Sequence, residues 1–231
     1  MTSGTSSPAK AIQRLDYRPP DHWIERVELT FVLAREHTRV QARLTGRRNE
    51  AVNRGRAPLV LHGEELALHA LRLNKSDLVV GEFEVTDEAL IVPEVPERFE
   101  LETEVELDPR ANTRLSGLYL SNGIFCTQCE AHGFRRITYF PDRPDVMARY
   151  SVRIEAERAR CPVLLSNGNR VESGALPDGR HFVRYEDPFK KPSYLFALVA
   201  GDLACQRGEF VTRSGRRVEL EIWAPGVFSF L

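Results

Sequence analysis

Two short spacings within residues 123–150 could do chemistry. Cys126 and Cys129 form a C-x-x-C, and Gln128 and Glu130 stand two apart in the same run, GIFCTQCEAHGFRRITYFPDRPDVMARY. C-x-x-C is the spacing of a zinc half-site or of a redox pair. A zinc site needs two further ligands, and Cys161 and Cys205 do not make a second closely spaced pair. A redox pair of the thioredoxin type sits at a helix start, whereas the flanks here read as strands. On an extended chain, residues three apart point to opposite faces, so the two sulfurs would not converge. Structural thiols are the expectation. Gln128 and Glu130, two apart, would share one face of the same extended segment. A carboxylate beside an amide oxygen makes a receptor for an ammonium group, which has three donors to place. The other reading is an exposed strand pair tied to Arg135 or Arg136, and residue types alone favour it.

The elements around this run are strands. Val27, Leu29, Phe31 and Leu33 alternate with more polar neighbours, as do Val40, Ala42 and Leu44. Residues 46–56, with Arg47, Arg48, Arg54 and Arg56, read as a solvated polar loop. Leu59 to Leu61 is a short strand closed by His62 and Gly63, and residues 66–71 are read as strand because no helix cap precedes them. Phe99, Leu101, Val105 and Leu107 alternate with Glu100, Glu102, Glu104 and Glu106, a solvated strand face rather than a metal site. Residues 166–169 and 176–179 are turn sequences because Asn and Gly tolerate positive φ. The second turn predicts a hairpin. The continuous apolar run 194–200 predicts a fully buried central strand, and residues 210–222 a further hairpin around Gly215. One short helical turn is expected over 144–150, capped by Asp142, with Pro144 in its first turn and Asp145 at its positive end. Tyr139, Phe140 and Pro141 read as core. The fold class is therefore all-β, antiparallel sheets in a sandwich or saddle.

Composition sets the outer limits. The 231 residues are 42% hydrophobic and 28% charged, with a net charge of -1, enough for a packed core and an ordinary solvated surface. Near-neutral charge gives no reason to expect nucleic acid as a partner, and no apolar run is long enough to span a membrane. The first 15 residues lack the apolar core of a signal peptide and read as a short disordered lead. Four cysteines without an export signal suggest reduced thiols and a cytoplasmic location.

Several blocks carry a family resemblance. Residues 118–121 (LYLS), 126–131 (CTQCEA), 133–135 (GFR) and 142–146 (DRPDV) resemble the N-terminal domain of bacterial aminopeptidase N, a zinc metallopeptidase. So do residues 164–170 (LLSNGNR), Asp187-Pro188-Phe189, and 191–202 with its YLFALVAGD, and near the start Asp16-Tyr17-Arg18 and Pro20-Asp21. The resemblance covers residues 16–223. It implies one all-β domain that caps the active site of an exopeptidase, with Glu130 and Gln128 holding the free amino terminus of a peptide substrate. The family's zinc is held by H-E-x-x-H and a further Glu, and its substrate backbone by a G-x-M-E-N loop. Neither motif is present, and no two of His22, His37, His62, His69, His132 and His181 are three or four apart. The resemblance therefore implies no catalytic and no metal-binding residue in this chain, with zinc and a catalytic domain belonging to the complete enzyme. Residues 224–231 (APGVFSFL) depart from the family's polar continuation and read as a truncated or aberrant tail. A free-standing β-sandwich that binds peptides or a protein partner without catalysis is the alternative.

Overall fold

The computed structural model describes residues 14–53 and 57–226. Most of the expected N-terminal lead and residues 227–231 of the expected tail lie outside the described residues, as do Arg54 and Arg56. Among the described residues seventeen strands follow in chain order. They are β1 His22–Val32, β2 Thr38–Arg48, β3 Leu59–His62, β4 Ala67–Leu73, β5 Ser76–Asp77, β6 Glu84–Val85, β7 Ala89–Val92, β8 Arg98–Leu107 and β9 Gly117–Ser121. The second half adds β10 Ile124–Gln128, β11 Met147–Glu157, β12 Val163–Ser166, β13 Asn169–Ala175, β14 Arg180–Pro192, β15 Leu198–Gly201, β16 Leu203–Val211 and β17 Arg217–Pro225. Helical structure among the described residues is limited to three single 3-10 turns, Arg14–Asp16, Phe134–Arg136 and Ser193–Leu195.

An eight-stranded sheet runs β13-β14-β11-β1-β2-β8-β4-β5. A four-stranded sheet runs β12-β15-β10-β9, a three-stranded one β3-β7-β6, and among the described residues β16 and β17 pair only with each other. Pairing is antiparallel except between β1 and β11, which are parallel with Val27 opposite Tyr150. Alternation explains which face is buried. In β1 the buried set shifts from His22 and Ile24 to Val27, Leu29 and Phe31. A bulge between Ile24 and Arg26 inserts the residue that changes the phase. These side chains join Val40, Leu44, Leu101 and Ile154 from the same sheet. Leu61 and Leu90 from the three-stranded sheet and Phe125 and Leu198 from the four-stranded one complete a single core. Each such side chain contributes about 1.5–3 kcal/mol by leaving water.

The opposite face of the large sheet is charged and neutralised across strands. Glu102 pairs with Arg43 at 2.8 Å and Glu104 with Arg39 at 3.1 Å. Glu106 lies 3.6 Å from Arg39 and 3.4 Å from His69. The row of four glutamates is thus a paired sheet surface. Arg47 and Arg48, expected in a loop, are the last residues of β2, and Arg47 pairs with Glu25.

Two local expectations are corrected. The helical turn over 144–150 is absent, because Asp142 is buried in side-chain bonds and cannot cap it. A single turn closed by Val146 N–H on Arg143 C=O is followed at Met147 by β11. The apolar run 194–200 is only half strand. Tyr194 and Leu195 lie in a 3-10 turn with Leu195 51% exposed, and β15, central in its sheet, begins at Leu198.

Candidate functional site

Gln128 is the last residue of β10, which lies between β9 and β15 and pairs Gln128 with Gly117. The turn joining β9 to β10 is made by Asn122 and Gly123, both at positive φ, the pattern of a tight two-residue hairpin. Beyond Gln128 the chain folds back sharply, and Gly133 N–H donates to Cys129 C=O at 2.8 Å. Only glycine fits at 133: a Cβ there would lie 2.2 Å from the Gln128 carbonyl oxygen and 2.9 Å from the Gly117 nitrogen. Both feet of the bend are anchored in the core, Cys129 at 2% exposure and Phe134 at 0%. Phe134 packs edge-on against Phe140, Tyr150 and Phe196. Glu130, Ala131 and His132 form the exposed tip. The peptide between Glu130 and Ala131 is cis.

The structure brings Gln128 and Glu130 together on the solvent side, with Cys129 pointing inward between them. The Gln128 carboxamide nitrogen donates to the Glu130 carbonyl oxygen at 3.4 Å, which leaves the amide oxygen free to accept. The Glu130 carboxylate has no hydrogen bond or ion pair among the described residues. The two arginines that could have neutralised it are committed elsewhere. Arg135 donates through Nε to Asp142 at 3.1 Å. Arg136 reaches Glu64 at 2.5 Å and Glu65 at 2.7 Å. The strand-pair reading of Gln128 and Glu130, which needed one of these arginines, is not what the structure contains.

Beneath the bend is a polar network that the sequence did not reveal. The Asp142 carboxylate accepts from Arg135 N–H at 3.2 Å and from Ser193 Oγ at 2.6 Å. Its own N–H donates to His62 Nδ1 at 3.1 Å. Burial, then the positive Arg135, lowers the His62 pKa. The imidazole is therefore neutral with its proton on Nε2. Nearby, Lys191 Nζ pairs with Asp187 at 2.8 Å and lies 4.0 Å over the Tyr150 ring. Burial lowers the Lys191 pKa, opposed by its bond to Asp187. Burial also raises the Tyr150 pKa well above the usual phenol value. Position in sequence gave no signal for this network, because His62, Asp142 and Ser193 come from three distant segments.

The four cysteines are free. Cys126 is half-buried in β10 and Cys129 is buried, and burial raises both pKa values, so neither is poised as a thiolate. Among the described residues no three His, Cys, Asp or Glu side chains are grouped to hold a metal ion. Three of the histidines are engaged by other groups: His181 Nε2 bonds Cys161 C=O, while His37 and His69 flank Glu106. The donor set does not fit a zinc site of the H-E-x-x-H kind, and no step of chemistry is routed through a metal here.

A profile of the peptidase M1 N-terminal domain matches residues 25–195. The chain belongs to this family. It is 54% identical over 218 residues to aminopeptidase N of Caulobacter vibrioides, covering 94% of this chain and 25% of that protein. Identity to aminopeptidase N of Escherichia coli is 49% over 214 residues, covering 93% and 24%. Among solved structures, an aminopeptidase A of Legionella pneumophila in complex with aspartic acid superposes with a TM-score of 0.89 at 38% identity, over 93% of this chain and 25% of that one. An M1 zinc metallopeptidase of Deinococcus radiodurans shares the fold, with a TM-score of 0.73 at 17% identity, over 90% of this chain and 48% of that one. This M1 N-terminal domain thus spans about a quarter of the length of the curated relatives it matches. The fold, the free Glu130 carboxylate and the neighbouring Gln128 are the features on which a reading of its function rests. No helix among the described residues is long and apolar enough to cross a membrane.

Proposed function

We propose that this M1 N-terminal domain caps the active site of an aminopeptidase N-type zinc exopeptidase and holds the free amino terminus of the peptide substrate. The observation that carries the reading is the Glu130 carboxylate, exposed and unpaired among the described residues although two arginines follow within six positions. An α-ammonium group would donate to Glu130 and to the Gln128 amide oxygen, and its third donor would be left for water or the catalytic domain. An acylated terminus offers no such charge, so the pair would confer a requirement for a free amino end. Zinc, the nucleophilic water and the side-chain pocket belong to the catalytic domain, which we place in the same polypeptide as in the relatives. The free thiols support a reducing, cytoplasmic location.

The test is Glu130→Gln in a polypeptide that also carries the catalytic domain. Losing one charge-assisted bond, about 1.5–3 kcal/mol, should lower kcat/KM for unblocked peptides roughly 10- to 150-fold. An unchanged kcat/KM would remove Glu130 from the role. The coding DNA past Leu231, read in all three frames, provides a second check. G-x-M-E-N and H-E-x-x-H blocks there support the capping role. Unrelated sequence would favour the stand-alone binding module instead.

A further inference from the structure

A cleft of about 940 Å³ opens between the turn after β3, the β6–β7 turn and the end of β8. Seven carboxylates line it against two arginines and one histidine. Several of the acids are already satisfied: Arg136 holds Glu64 and Glu65, and Arg39 reaches Glu106. Asp87 and Glu88 have no ion pair among the described residues. The apolar part of the lining includes Leu66, Val85 and Leu107.

Acidity alone would describe any solvated turn. Tyr139 is what makes this a built site. Its residue is 2% exposed, yet it lines the cleft. The phenol hydroxyl has no hydrogen-bond partner among the described residues and is not among the side-chain atoms sealed from solvent. The ring packs closely against Gly63, where a Cβ would come within 2.2 Å of it. With no protein partner among the described residues, the oxygen is open to donors that come in from solvent. Here the oxygen is left to something that enters the cleft.

We propose that this cleft binds an alkylammonium group, with the ammonium between the Tyr139 oxygen and the Asp87 and Glu88 carboxylates and the methylene stem along Leu66, Val85 and Leu107. The phenol oxygen and the carboxylates are acceptors for ammonium donors, and the net acidity of the lining disfavours anions. A lysine side chain and a free polyamine share this chemistry.

The experiment is calorimetric titration of the full chain with spermidine and, separately, with N-acetyl-lysine amide, whose blocked amino end cannot use Glu130. Saturable binding that weakens with salt is expected. Binding of both ligands supports the site and assigns it to lysine side chains. Binding of spermidine alone supports it and assigns it to polyamines, and binding of neither overturns it. Tyr139→Phe, which keeps the ring, should weaken binding about tenfold, and Asp87→Asn with Glu88→Gln at least as much. If Tyr139→Phe fails to fold, the exposed double variant still decides. Binding unaltered by the double variant, or abolished by Glu130→Gln alone, would overturn the proposal.

Discussion

Asp142 holds four groups at once: the Arg135 backbone N–H and guanidinium, the Ser193 hydroxyl and, through its own N–H, His62. Removing its charge leaves the largely buried Arg135 guanidinium only its longer 3.7 Å contact with Glu64, so Asp142→Asn should lower stability by about 2–4 kcal/mol in urea unfolding. An effect under about 0.5 kcal/mol would show that Arg135 finds Glu64 instead. Gly133→Ala should cost about 2 kcal/mol or more, because its Cβ meets backbone that cannot step aside. His62 gives a pH dependence. Its folded pKa lies below the ordinary 6.5, and burial shifts His22 the same way. The unfolded chain then takes up protons first, so stability is full above about pH 6.5 and declines as pH falls through the folded values. Urea midpoints at about pH 7.5 and about pH 5 should differ, with the drop smaller in His62→Gln; equal midpoints would contradict the assignment. At this scale the spacing of Gln128 and Glu130 puts them on one face, but residue types alone favour a pair tied to a neighbouring arginine, and the substrate-binding role comes only from the family resemblance. The sequence did not show that Glu130 is unpaired. That depends on where the two arginines turn: Arg135 to Asp142 within the same run, and Arg136 to Glu64 and Glu65, about seventy positions back.

Strands were readable wherever one face is wet, because alternation then survives in the composition, as in β1, β2, β8 and β11. The signal fails where it is read as a continuous run: residues 194–200 look uniformly apolar, but Pro192 and Ser193 start a 3-10 turn first. The segment 144–150 carried sound helix-start chemistry and still became a turn and a strand. There Arg143 and Tyr17 take Asp145, and β1 and β14 take the backbone after Met147. The β16–β17 hairpin was legible too, but its isolation was not. Among the described residues it pairs with no other strand, and Phe210, Leu220 and Ile222 are 57%, 47% and 58% exposed. Two-stranded hairpins are marginal alone. In the full chain, amides of Leu203–Val211 and Arg217–Pro225 should exchange hydrogen orders of magnitude faster than those of β1, β2 and β11. Equal protection would mean that the hairpin is held by something beyond its own ladder.

The whole molecule turns on one pairing that no local pattern announces. Strand β1 sits between β2, its immediate successor, and β11, with which it runs parallel. Such non-local pairing pays its loop-closure entropy late, so refolding should occur in milliseconds to seconds rather than microseconds, which stopped-flow fluorescence of Trp23 can time. A piece ending before Met147 should remain open to proteolysis. On the ribosome the same pairing becomes a matter of scheduling. The end of β1 and the start of β11 are about 115 residues apart, roughly 6 to 23 seconds of synthesis at about 5–20 residues per second. Through that interval the nascent chain presents one finished and one open edge of an apolar strand. Slow codons between β8 and β11 would lengthen this exposure, whereas the same codons placed after β14 would do no harm. The gene's tempo, and not only its translation product, is therefore constrained by where β11 falls.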